Sequence, residues 1–368
     1  EFPARLFPVQ KKGFAAWRAV LRAEKRKKFS LLARPFPGAD FFRGLEEKIR
    51  EKQWSSSLEA ALDRREKEGG DLADRKYVKL SATDMNDFFT CPSSWLFKKI
   101  FSLSVFSLDA KLLDDTSLGN LYHRILERLF IKIREEDAKF YPAHLEQYFS
   151  WARDYAEDEA KNHPAFQGPL AVPLVVSQVD TIAGRLRRVL ITEAEKLSNY
   201  TVSDYIEKYL GFIQDDMLFV GKIDRVSISA DEEPVIIDYK PGKTPKKSDC
   251  AESPGSPMKD FQMAMYVRLY EEAVHVPVGG AFFFSIHKHA PQSVFTKPAK
   301  SSLESPREKF APTMDAFEKY AEKFAGAVKA LDFTARDVRF ETCLKCIYKT
   351  ICRTTYSLNS REAAHERD

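Results

Sequence analysis

The strongest constraint on this chain is a pair of β-rich segments whose apolar pattern is interrupted by charge. Residues 217–229 and 235–240 are rich in Val, Ile and Phe, and Asp231-Glu232-Glu233-Pro234 lies between them. Together they read as an antiparallel hairpin, which Pro241-Gly242 closes. The hairpin contains Gly221-Lys222-Ile223-Asp224-Arg225-Val226 and Ile236-Ile237-Asp238-Tyr239-Lys240. Strand side chains alternate faces, so Ile236, Asp238 and Lys240 share one side. A carboxylate or an ammonium inside a sheet needs a partner. Asp224 on the neighbouring strand can approach Asp238, and two carboxylates that close each tend to hold a proton. A divalent cation between them removes the conflict. Mg²⁺ suits a few carboxylates plus water and phosphate oxygens. It supplies Lewis acidity, while Lys240 can stabilise developing charge. For an isolated Asp-x-Lys, a structural salt bridge (Asp238–Lys240 or Asp224–Arg225) is the simpler account.

Helical periodicity surrounds the hairpin. Leu118, Leu121, Tyr122, Ile125, Leu126, Leu129, Phe130 and Ile133 repeat at helical spacing. Helices are expected near 143–162, 173–197, 260–272 and 304–330. Ser81 is placed to cap a short helix that Cys91-Pro92 ends. Residues 280–286, with Phe282-Phe283-Phe284, read as a buried strand. The expected fold class is α/β, a mixed sheet inside a helical jacket. Residues 1–76 read as mostly helical, and 63–74 as a charged linker. The domains predicted are a basic N-terminal segment (1–78), a core (79–356) and a polar tail (357–368).

Charge is unevenly distributed. The 368 residues carry a formal net charge of +4, yet residues 1–80 hold 20 basic and 12 acidic side chains. The run Arg22, Lys25, Arg26, Lys27, Lys28 can engage phosphates or can simply be a solvated helix face. No apolar run reaches the roughly 18–20 residues a membrane helix needs, so no membrane contact is expected. The start, Glu1-Phe2-Pro3, has neither Met nor signal-peptide form. The expectation is a piece of a longer protein, and no ATPase, because no Walker-type Gly-x-x-x-x-Gly-Lys is present.

Two further pieces join the hairpin. His123 lies off the Leu/Ile stripe of its helix, with Glu127 four residues on. Gln262 and Tyr266 stand i and i+4 on another helix. Separately, a lone His is commonly a satisfied structural residue, and the Gln–Tyr pair means nothing. In order, His123, Asp224, Asp238-Tyr239-Lys240 and Gln262…Tyr266 resemble the RecB-like branch of the PD-(D/E)XK nucleases, over roughly residues 79–356. The resemblance implies a restriction-endonuclease-like core in which His123, Asp224 and Asp238, with the Tyr239 carbonyl, hold Mg²⁺ (or Mn²⁺). Lys240 would be the catalytic lysine. Gln262, Tyr266 and Arg225 would orient the site or touch DNA.

Five cysteines in a chain without a secretory signal argue against a disulfide framework. Cys343-x2-Cys346-x5-Cys352 suggests thiolate ligation of a metal, with Cys91 the natural fourth ligand. Cys250 reads as free. Spacing alone leaves zinc and a [4Fe–4S] cluster both open, and unligated thiols as well. One cysteine before the nuclease core and three after it look like the iron–sulfur staple of AddB-type nuclease domains, although Phe89-Thr90 replaces the usual "Y-x" before Cys91. That resemblance implies an Fe–S cluster joining the two ends of the domain, a cytoplasmic, bacterial-type setting and single-stranded DNA delivered by an AddA-type helicase–nuclease partner. The reading is a metal-dependent deoxyribonuclease, exonucleolytic, in double-strand-break processing. Its rivals are a free-standing CRISPR-associated-type exonuclease, a catalytically silent DNA-binding module and a structural zinc protein.

Overall fold

A computed structural model describes residues 78–101, 103, 115–163, 171–197, 200–215, 217–295, 306–330, 332–333, 335 and 338–352. The helices expected within 1–76, the basic run at 22–28 and the tail 357–368 lie outside the described residues. In chain order the elements are β1 (Val78–Leu80), α1 (Ala82–Thr90), α2 (Pro92–Trp95), a π-helical turn (Leu96–Ile100), α3 (Asp115–Glu136), α4 (Leu145–Asn162), α5 (Ala171–Lys196), β2 (Thr201–Gln214), β3 (Met217–Ile228), β4 (Pro234–Lys240), α6 (Gln262–Val274), β5 (Gly280–Ser285), β6 (Ala290–Phe295), α7 (Pro306–Ala330), α8 (Phe340–Lys345) and α9 (Lys349–Cys352). The chain divides into two compact units.

The larger unit comprises residues 80–83 and 108–323. Its sheet is mixed: β2, β3 and β4 pair antiparallel in turn, β4 pairs parallel with β5, and β6 pairs antiparallel with β5. A parallel pair needs a long crossover, and the segment bearing α6 supplies it between β4 and β5. The apolar stripe of α3 packs with α4 and α5 on one side of the sheet. There Leu121, Ile125, Leu129 and Leu186 meet Ile237, Tyr239 and Phe284. On the other side, Gly221 of β3 lies so close to α6 that a Cβ there would fall 2.7 Å from Leu269 and 2.9 Å from Tyr266.

The hairpin and the expected helices are present. Three strands go beyond the expectation: the short β1, β2 and β6. β2 is polar along much of its length, and its burial follows no clean alternation. β6 carries Pro291 at the sheet edge, where a missing N–H costs no ladder bond.

The smaller unit, among its described residues, covers 78–79, 84–101, 103, 324–330, 332–333, 335 and 338–352. Pro92 opens α2 at a position where its missing N–H is harmless. Trp95 packs its ring against Phe88, Phe324 and Phe333. Buried Asp84 accepts a hydrogen bond from Trp95 Nε1 at 3.2 Å and lies 2.9 Å from Lys99 Nζ, so its charge is compensated.

Candidate active site

The β3–β4 register pairs Arg225 with Ile237 and Val226 with Ile236. One step further along, Asp224 faces Asp238 where the ladder ends. Asp224 Oδ2 accepts the Tyr239 N–H at 2.7 Å. The carboxylate thus takes the donor that the next ladder bond would have used. Asp224 is 6% exposed and Asp238 1%.

His123, on α3, brings Nδ1 to 2.9 Å from Glu207 Oε1 and 3.4 Å from Asp224 Oδ2. Glu207 comes from β2, one residue past the register shift between Val202 and Ile206. Its φ of 47° is left-handed, an uncommon conformation for a residue with a side chain. This local turn out of strand conformation carries the Glu207 carboxylate to the His123 ring. Ligand atoms of His123, Glu207 and Asp224 lie within 4.8 Å of one another, the one such group among the described residues. One imidazole and two carboxylates form a donor set that suits a hard divalent cation.

Beside this group lies a closed hydrogen-bond circuit. Gln262 Nε2 donates to Asp238 Oδ1 at 2.7 Å and to Tyr266 Oη at 2.9 Å. Lys240 Nζ donates to Gln262 Oε1 at 2.6 Å and stands 2.8 Å from Asp238 Oδ2. The i, i+4 spacing on α6 therefore holds a lysine and a carboxylate in fixed relation. The Lys240 side chain is 23% exposed.

Burial and neighbouring charges together set the charge states of these groups. Burial, then the neighbouring Asp238, pushes Asp224 well above the usual carboxylate range. Burial opposes charge on His123, but the Glu207 hydrogen bond and the Asp224 charge outweigh it and raise the imidazole to about 8. Burial likewise opposes ionisation of Glu207, yet His123 and Lys222 hold it below its ordinary value. Burial disfavours the Lys240 ammonium, and Asp238 more than compensates, raising it.

The structure thus brings His123, Asp224, Asp238, Lys240, Gln262 and Tyr266 together. In this arrangement Asp238 is held by Gln262 and Lys240 rather than standing in the close donor group. Glu207 stands there instead, a residue the motif reading missed. Its one sequence signal was the β-rich run Ile206-Glu207-Lys208-Tyr209-Leu210. Arg225 needs correction as a DNA contact. It is 2% exposed, lies 2.9 Å from Glu193 Oε2 and sits 4.0 Å over the Phe130 ring. The Tyr239 hydroxyl donates to the same Glu193 at 2.6 Å. Arg225 and the Tyr239 ring therefore secure β3 and β4 to α5, and Arg225 can act on the site only by orienting it. The Tyr239 main chain still borders the site, through its bond to Asp224.

Cys91, Cys343, Cys346 and Cys352 line one cavity of about 600 Å³ in the smaller unit, with Phe97 and Tyr348 in its wall. Burial raises the Cys91 thiol to about 11, and the other three cysteines add to it. Tyr348 donates its hydroxyl to the Leu103 carbonyl at 2.7 Å and secures the wall. Cys250 lies apart, buried, its thiol 3.3 Å from the Lys246 carbonyl.

With the geometry in hand, comparison with known proteins is decisive at one level. A family model described as the PD-(D/E)XK nuclease superfamily matches residues 79–353. The chain belongs to that superfamily. An uncharacterized protein of Treponema pallidum (strain Nichols) is 37% identical over 93 residues, which is 25% of this chain and 12% of that protein. The crystal structure of SSO0001 aligns over 85% of this chain and 98% of its own, at 10% identity and a TM-score of 0.31, a likeness too slight to argue from. The mixed sheet with flanking helices accords with the superfamily core. Among the described residues, no helix is long and apolar enough to cross a membrane.

Proposed function

We propose that this chain is a divalent-metal-dependent deoxyribonuclease acting on single strands. The observation that carries the reading is the His123–Glu207–Asp224 donor group beside the Asp238–Lys240–Gln262 circuit. Mg²⁺ or Mn²⁺ held there, with Asp238 able to join, would act as a Lewis acid on the phosphodiester. The residues themselves prepare the rest. Lys240 is protonated, partly exposed and fixed by Gln262, so it can donate to a phosphate oxygen where negative charge accumulates. Glu207 orients the His123 ring through Nδ1. Tyr266 limits the freedom of the Gln262 amide by accepting from it.

The four-thiol cavity supports a structural [4Fe–4S] cluster, as in AddB-type domains. Four cysteines satisfy such a cluster without further ligands. Zinc is the competing occupant, and iron and zinc analysis of anaerobically purified protein separates the two. On this reading the chain degrades one strand, fed by an AddA-type partner in the cytoplasm, during double-strand-break processing. The test is cleavage of end-labelled single- and double-stranded DNA with Mg²⁺ and with EDTA. Mg²⁺-dependent cleavage, lost in Lys240→Ala, is expected, and the product ladder gives its polarity. Equal cleavage by wild type and Lys240→Ala overturns the assignment.

A further inference from the structure

Tyr209 is 63% exposed, the most exposed of the large hydrophobic side chains among the described residues. It sits on β2, two residues beyond Glu207, and is paired in register with Lys222 of β3. The Lys222 ammonium lies 5.7 Å from the centre of the Tyr209 ring and is ion-paired with Glu207 Oε2. One lysine therefore bridges an exposed aromatic ring and the metal-binding group.

The two faces of this hairpin differ in kind. Phe212 and Phe219 stack at 5.1 Å, with Arg268 of α6 5.1 Å over the Phe212 ring. Gly221 meets Tyr266 and Leu269. By strand alternation Tyr209 and Lys222 lie on the opposite face, where Ile213 is also exposed. Lys222 is 38% exposed. Lys208 lies on the other face, 5.4 Å from the Tyr205 ring that packs on Tyr270 of α6. An exposed ring beside a lysine is chemistry that holds single strands: a base stacks on the ring, and the ammonium meets a phosphate.

We propose that Tyr209 and Lys222 form a nucleotide subsite for single-stranded DNA at the edge of the metal group. A base stacks on Tyr209, and Lys222 contacts the adjoining phosphate, which sets the neighbouring phosphodiester near Glu207 and Asp224. The inference deepens the nuclease reading and rests on it for the identity of the strand.

The test is binding in EDTA, where no cleavage intervenes. The probes are a fluorescein-labelled 20-mer oligothymidylate and an abasic tract of equal length. Wild type should prefer the oligothymidylate. Tyr209→Ala should bind it about tenfold more weakly, with abasic binding unchanged, and Tyr209→Phe should retain the preference. Lys222→Gln should weaken both probes and lower the salt slope by about one. The proposal is overturned if Tyr209→Ala leaves the preference intact, if Tyr209→Ala weakens both probes alike, or if wild type binds neither. A parallel Mg²⁺ arm with Lys240→Ala reports on the nuclease separately. Cleavage without base preference sinks the subsite alone, whereas base preference without cleavage sinks the nuclease alone.

Discussion

Lys240 shows how much one side chain depends on its neighbours. Burial disfavours its ammonium, Asp238 more than offsets that, and Gln262 fixes its direction. Lys240→Ala should lower cleavage about 10²–10³-fold, measured as single-turnover rate, with the melting temperature little changed. His123 gives a second prediction, in pH. Its folded value of about 8 exceeds its ordinary 6.5, so without metal the protonated ring stabilises the fold by on the order of 2 kcal/mol. That contribution is complete below about pH 6.5 and is lost as pH rises through about 8. Asp224, raised as well, works in the same direction because ionising it costs more in the folded chain. In EDTA the melting temperature should fall between pH 6 and 9, and less so in His123→Gln. A flat wild-type profile would count against the His123–Glu207 contact. Since a cation must displace the His123 proton, Mn²⁺ affinity should rise over the same range.

At the scale of elements, the site is made by two departures from regular β structure. One is the positive φ at Glu207, just past the β2 register shift, which turns that carboxylate toward α3. The other is the end of the β3–β4 ladder, where Asp224 replaces a backbone acceptor. Helix α6 must then lie close enough for Gln262 to reach Asp238, and Gly221 makes room for it. In Gly221→Ala the new methyl meets buried Tyr266 and Leu269. A loss of about 1–3 kcal/mol is expected from such overpacking, read by denaturant unfolding. Cleavage should fall further than the stability loss explains, because displacing α6 also displaces Gln262. Unchanged stability would show that α6 yields freely. Much of this was legible at the motif level: Gly221, Asp224, Asp238, Lys240 and the Gln262–Tyr266 pair all meet at one place. Glu207 was not, because no periodicity announces a left-handed residue within a strand and its partners lie 84 and 15 residues away along the chain.

At the scale of the whole molecule, residues far apart in sequence meet in each compact unit. In the smaller one, Cys91 shares a cavity with cysteines some 250 residues downstream. With a cluster in place, Cys346→Ser should lose iron and lower the melting temperature of the protein, as expected when metal binding contributes to folding. A stable Cys346→Ser protein with wild-type iron content would remove Cys346 from the ligands. Arg225 is the opposite lesson. Its place in the Gly-x-Ile-Asp-Arg string sets it beside the chemistry, yet α5 presents Glu193 to it and the sheet buries the pair.

Local pattern alone determined the α/β class, the hairpin, the helices flanking it and the residue types that can hold a cation. Those follow from chain-local physics: alternation in strands, 3.6-residue periodicity in helices, and the cost of burying charge without a partner. Tertiary structure decided which carboxylates face the imidazole, that Glu207 joins them, that Arg225 is a buried support and that the four cysteines share one cavity. Burial and long-range distance are properties of packing between segments, and no window of sequence contains them.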